Sequence, residues 1–148
     1  MIVRFVAAGL ASVAVALLVI AEFTTVFQVT VGSLDVVRRS ATGGANHGYA
    51  LLVIAAVGAA MTLLALRGAR APALALVVLG IAALAIAFAV DLPDARGAGG
   101  LPESLAYEEA QARAGPALGL EIAGGLLLLA AGIALSLAGG PGARSRRA

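Results

Sequence analysis

The sequence predicts an all-α integral membrane protein, an antiparallel bundle of four transmembrane helices with a short extracytoplasmic helix before the fourth span. Three observations carry this expectation. Of the 148 residues, 61% are hydrophobic and only 12% are charged, whereas soluble domains carry roughly a quarter charged residues. The mean hydropathy is +1.04. Finally, four stretches approach the ~20 apolar residues that a helix needs to cross a ~30 Å hydrocarbon core, at about residues 4–27, 49–66, 72–90 and 116–138. One transmembrane domain then occupies residues 1–148, with outer loops at 28–48 and 91–115 and a cytoplasmic tail at 139–148.

The first span opens at Arg4 and closes in "LLVIAEFTTVFQ". A rival reading takes residues 1–21 as a cleaved signal peptide, because Arg4 precedes an apolar run ending in "VIA". The run exceeds the roughly 7–15 residues of an ordinary signal-peptide core, so a retained helix is expected. The loop that follows, "TTVFQVTVGSLDVVRRSATGGANHG", is β-branched and alternating at its start. That pattern fits either a strand or one more helical turn before "TGGANHG" breaks it. Tyr49 opens the second span, and the tight turn "RGARAP" joins it to the third. Pro72 suits the first turn of a new helix, where its missing N–H costs nothing. The second outer loop is glycine-rich over Gly97–Gly100 and then reads as a short helix from about Pro102 to Arg113. Pro at its first position, Glu103 in the first turn, and Arg113 followed by Gly115 and Pro116 are helix start and stop signals.

Lipid tails are as apolar as leucine, so helices in a bilayer associate through close fit between small residues. Gly9, Ser12 and Ala16 form such a line on the first span; Ala55, Gly58, Ala59 and Thr62 on the second; Gly80, Ala83 and Ala87 on the third; Gly115, Gly119, Gly125, Gly132 and Ser136 on the fourth. A faint repeat, "LLALRGAR" after the second span and "LSLAGGPGAR" after the fourth, is the pattern two fused helical hairpins would leave.

All ten basic residues are arginine. Together with the abundance of Ala, Gly, Leu and Val, this points to a GC-rich bacterial genome. Arg4, Arg67, Arg70, Arg144, Arg146 and Arg147 fall on one side if four spans alternate, and the positive-inside rule makes that side cytoplasmic. The expected location is the bacterial inner membrane with both termini inside. The tail arginines then meet anionic headgroups, worth about 1 kcal/mol each. A pI near 9.9 would suggest nucleic acid in a soluble protein, but arginines at span ends speak of topology, and no nucleic-acid partner is expected. The expected partners are the bilayer and either another membrane protein or a second copy of the chain.

Polar residues concentrate at the opposite end. Glu22 lies eighteen positions beyond Arg4, about 27 Å along a helix axis. Glu121 enters from the other direction about five residues after Pro116, or roughly 7 Å deep. His47 and Tyr49 open the second helix, Asp91 closes the third, and Thr24, Thr25 and Gln28 flank Glu22, whereas the other half holds little beyond Ser12, Thr62 and Ser136. Ionisable groups in a membrane are costly and seek partners or water. Glu22 and Glu121 are therefore candidate ligands for a proton or cation, His47 a candidate ligand or proton partner, Tyr49 and Thr25 candidate hydrogen-bond donors, and Asp91 a further member of the layer. Each has a plainer reading: Glu22 snorkels to water, Glu121 complements a helix dipole, His47 is a loop residue, Tyr49 an interfacial aromatic, and Arg38 or Arg39 folds back onto an acid.

With no cysteine there is no thiolate chemistry. No phosphate loop, metalloprotease helix motif or Ser/His/Asp set occurs. A single histidine does not by itself anchor a zinc or haem site, so no metal is assigned and cofactors stay unknown. The function expected from the sequence is a non-enzymatic accessory subunit or scaffold with a polar outer-leaflet pocket. The alternative is a proton- or cation-linked transport or sensing protein using Glu22 and Glu121. An enzyme ranks third, because nothing supplies a nucleophile or an electrophilic stabiliser.

Overall fold

The computed structural model describes residues 2–31, 36–97 and 111–138. In chain order these form α1 (Ile2–Glu22), β1 (Thr25–Val31), β2 (Val36–Thr42), α2 (Gly43–His47), α3 (Ala50–Leu66), α4 (Arg70–Ile86), a π-helical turn (Ala87–Asp91), α5 (Leu92–Gly97), β3 (Gln111–Ala114) and α6 (Pro116–Ala138). The protein is mostly helical. Among the described residues, three helices are long and apolar enough to cross a membrane: Ile2–Glu22, the continuous helix Arg70–Arg96, and Pro116–Ala138. The second expected span, found as Ala50–Leu66, is also apolar but has 17 residues, about 25 Å at the helical rise.

The first helix ends at Glu22 rather than near Phe27. The amide groups of Phe23 and Thr24 turn back to the carbonyls of Ile20 and Ala21, and the Thr24 hydroxyl donates to Ile20 O at 2.6 Å. The β-branched alternation of "TVFQVTV" then continues as a strand. Of the two readings left open for this segment, the strand is the one observed. β1 is the centre of a three-stranded antiparallel sheet of order β2-β1-β3. It pairs Thr25 with Thr42 and Gln28 with Ser40 on one side, and Phe27 with Ala114 and Gln28 with Arg113 on the other.

The expected helix Pro102–Arg113 falls largely outside the described residues, but its end is corrected: Gln111–Ala114 is a strand. Backbone pairing with β1 outweighs the local stop signals there, and Gly115 N–H donates to Val26 O at 2.6 Å. The third span is corrected as well, since its helix does not stop near Val90 but runs on through α5. Pro93 lies in that continuation. Having no N–H and a ring that clashes with the carbonyl four residues back, it cannot sustain regular α spacing, which accounts for the π-helical turn before it.

Helix α6 packs along both α1 and α4, and α3 packs along the same two helices while scarcely touching α6. At the α4–α6 seam, a Cβ on Gly80 would stand 2.6 Å from the Leu129 nitrogen, so only glycine permits this backbone approach. Gly125 and Gly132 face α4 in the same manner. The small-residue line expected on α1 is corrected, because Gly9, Ser12 and Ala16 all face outward. Its contact face is Ala7, Ala8, Ala11, Ala14, Leu18 and Ala21. Alanine serves as well as glycine at a four-residue spacing, so a line that included Gly9 carried no more information than the alanine line that packs.

Arg4 donates from Nη2 to Ala138 O at 3.2 Å, and its guanidinium also lies near Gly68 in the α3–α4 turn. The start of α1, the end of α6 and the turn bearing Arg67 and Arg70 thus share one end. At the other end the sheet closes over the helices through a second apolar cluster of Val26, Phe27, Val29, Ala95 and Ala117.

Candidate functional site: a buried carboxylate and histidine cluster

Helix α2 is a single turn of five residues, "GGANH", and its placement is fixed by glycine. A Cβ at Gly43 would come within 3.1 Å of Ala21 O and 3.2 Å of Glu22 Cα, so the turn lies directly on the end of α1. Gly48 and Tyr49 then both adopt positive φ, 64° and 62°. For tyrosine this left-handed conformation is uncommon. It reverses the chain between His47 and α3, aiming the imidazole inward while the Tyr49 ring lies over Gly44.

The His47 side chain is 6% exposed and meets three carboxylates. Nδ1 is 3.8 Å from Glu22 Oε2. Nε2 is 3.6 Å from Asp91 Oδ2 and 3.6 Å from Glu121 Oε1. These groups come from four segments, α1, α2, the π-helical turn and α6. Asp91 and Glu121 are completely buried and Glu22 is 1% exposed. The π-helical turn positions Asp91: Phe88, Ala89 and Val90 are exposed in succession and Asp91 then faces inward. Asn46 fixes it there. Its amide nitrogen donates to Asp91 Oδ1 at 2.7 Å and to Asp94 Oδ2 at 3.0 Å, which leaves Oδ2 of Asp91 directed at His47.

Buried polar atoms are nearly always hydrogen-bonded. Here seven have no such partner among the described residues: both oxygens of Glu22, both nitrogens of His47, Oδ2 of Asp91 and both oxygens of Glu121. The separations of 3.6–3.8 Å exceed the ~2.7–3.2 Å of a good N–H···O bond. One ligand atom each from His47, Asp91 and Glu121 lies within 4.8 Å of the others, the span of a small cation's coordination shell. Burial alone would lower the His47 pKa, but the facing carboxylates of Glu121, Asp91 and Glu22 outweigh it and raise it above its ordinary value.

Of the six residues the sequence singled out, the structure gathers Glu22, Glu121, His47 and Asp91. The two glutamates do not face each other directly; the imidazole stands between them. Tyr49 and Thr25 are not drawn in. Tyr49 is 54% exposed, Thr25 begins β1 opposite Thr42, and neither bonds the cluster's buried polar atoms. Asn46 and Asp94 went unrecognised in the sequence. Their only local signals were the adjacency of Asn46 to His47 and the one-turn spacing of Asp91 and Asp94. No protein-family model, characterised protein or solved structure matches this chain, so the chemistry of the site rests on its own geometry.

Proposed function

We propose that this is a four-span bacterial inner-membrane protein with both termini cytoplasmic, whose periplasmic end holds a proton- or cation-binding site used for sensing or transport. One observation carries the reading: seven buried side-chain atoms of Glu22, His47, Asp91 and Glu121 converge from four segments without hydrogen-bond partners among the described residues. A site left this unsatisfied is costly in an apolar surrounding unless a charge is taken up there. Arg4, Arg67 and Arg70 at the opposite end support the orientation. Ala50–Leu66 reaches across by virtue of its terminal turns and the flanking Arg67, a short span being accommodated by local thinning of the bilayer.

The competing reading, an accessory subunit or scaffold for another membrane protein or a second copy, draws on the outward line of Gly9, Ser12 and Ala16 on α1, since small residues suit helix contacts in lipid. The two readings separate in purified protein. If the acidic end binds a proton or cation, the melting temperature in detergent responds to pH or to added cations, and Glu121→Gln abolishes that response. A melting temperature indifferent to both in the wild type would leave the scaffold.

A further inference from the structure

We propose that His47 Nε2, Asp91 Oδ2 and Glu121 Oε1 ligate a divalent first-row transition-metal ion, with Glu22 and Asn46 as positioning residues. The proposal rests on the binding site argued above and gives its occupant. Three features of the geometry point to it.

The first is spacing. Nε2 is 3.6 Å from each of the two carboxylate oxygens, too long for good hydrogen bonds. Ligands held about 2.0–2.2 Å from a tetrahedral metal stand about 3.3–3.6 Å apart along each edge. These separations therefore match two edges of such a shell, with the ion between the atoms.

The second is the surrounding shell. A metal-bound histidine characteristically donates its other ring N–H to a carboxylate, which fixes the tautomer and the ring plane. Glu22 Oε2 stands 3.8 Å from Nδ1, on the side of the imidazole away from Asp91 and Glu121. A closer approach on ion binding lets it accept from Nδ1–H, which leaves the Nε2 lone pair for the ion. Metal-bound carboxylates are themselves hydrogen-bonded, and Asn46 does this for Asp91 through its second oxygen at 2.7 Å.

The third is charge. A divalent ion neutralises the two ligating carboxylates, and the Nδ1–H to Glu22 contact spreads the remaining negative charge onto the imidazole. An imidazolium without the ion leaves three carboxylates against one positive charge. The donor set also selects the ion: imidazole with two carboxylates suits zinc, manganese and iron(II), whereas magnesium and calcium favour oxygen-only shells and copper(I) needs sulfur. Three protein ligands leave a fourth position for water or an exchanging ligand.

The test uses full-length protein in detergent, stripped with chelator, and the probes Zn2+, Mn2+, Ca2+ and Mg2+ in calorimetry. The expected result is one Zn2+ or Mn2+ per chain, at least tenfold tighter than Ca2+ or Mg2+. His47→Gln and Asp91→Asn should lose this binding, and Asn46→Ala should weaken it about tenfold. Pulsed EPR of Mn2+ in the wild type, which needs no variant to fold, should show nitrogen hyperfine coupling from one imidazole. Bound Mn2+ without nitrogen coupling, or Zn2+ binding that survives His47→Gln, would overturn the ligand set. A melting temperature that follows pH but ignores all four ions would overturn the metal and leave a proton site. If neither pH nor ions move it, the underlying reading fails as well.

Discussion

The two ends of the molecule handle polar groups in opposite ways. In the half near Arg4, Thr62 donates to Gly58 O at 2.8 Å, Ser136 to Ile133 O at 2.7 Å and Ser12 to Ala8 O at 3.0 Å. Each hydroxyl is satisfied by a carbonyl of its own helix one turn away, so it asks nothing of its neighbours. At the other end, Glu22, His47, Asp91 and Glu121 have no such local partner and depend on one another across four segments. A polar group with a partner in its own helix is structural filling. Four ionisable groups whose charged partners among the described residues lie far away in sequence form an arrangement that apolar side chains would have replaced more stably.

The largest effect that would break this contrast is expected at His47. Removing one member of a buried charged set costs about 3–5 kcal/mol, so His47→Ala should lower stability by about 3 kcal/mol at neutral pH in chemical denaturation. A loss no larger than that of a surface substitution would mean the carboxylates do not need the imidazole. Gly43→Val should cost about 2 kcal/mol, because the added atoms meet Ala21 O and Glu22 Cα. It should also displace His47 and weaken cation binding, which is the part of the outcome that a mere packing defect elsewhere would not reproduce.

In the opposite direction, Glu121→Leu removes one of three carboxylates that face a single imidazole, while Glu22 and Asp91 remain beside His47. Less like charge is then buried, so the change should be neutral or stabilising by about 1 kcal/mol in metal-free protein while weakening the site's response to ions and pH. Thr62→Val, the control at the other end, should stay within about 0.5 kcal/mol, since the Gly58 carbonyl keeps its helical partner.

The pH dependence sharpens the comparison further. Glu22 of α1, Asp91 of the π-helical turn and Glu121 of α6 face His47, with Asp94 of α5 behind Asn46. Because the His47 pKa is raised, the stabilisation from its imidazolium is full below pH ~6.5 and is lost as pH rises through the folded value. The melting-temperature gap between wild type and His47→Gln, measured without metal, should therefore shrink as pH increases. Cation affinity should run the other way, rising with pH as the proton leaves Nε2. A gap that widens towards alkaline pH would contradict the assignment of the imidazolium.

Much of the fold was legible in the chain. Apolar runs reveal membrane-length helices because hydropathy sums along one helix and needs no neighbour, and α1, α4 and α6 were found that way. Their ends were read less well. The strand over Gln111–Ala114 forms through pairing with Phe27, Gln28, Val29 and Thr30 of β1, more than eighty positions earlier. The helical stop signals around Arg113 and Gly115 could not reveal it. Likewise, spacing on α1 pointed to Gly9, Ser12 and Ala16, whereas the face that packs is that of Ala7, Ala11, Ala14 and Leu18.

The amino-acid sequence by itself determined that the protein belongs in lipid, that its acids gather at one end while six of its ten arginines fall at the other if four spans alternate, and that Glu22 and Glu121 reach comparable depth. Those properties follow from composition and from the fixed rise per residue of a helix. The tertiary structure decided that His47 stands between the glutamates, that Asp91 turns inward from the π-helical turn, that Asn46 holds it there, and that Tyr49 and Thr25 take no part. These outcomes depend on close backbone approaches such as Gly43 against Ala21 and on contacts between residues 45 positions apart such as Asn46 and Asp91. Directions in space between distant segments are set by packing and are not encoded in any local pattern.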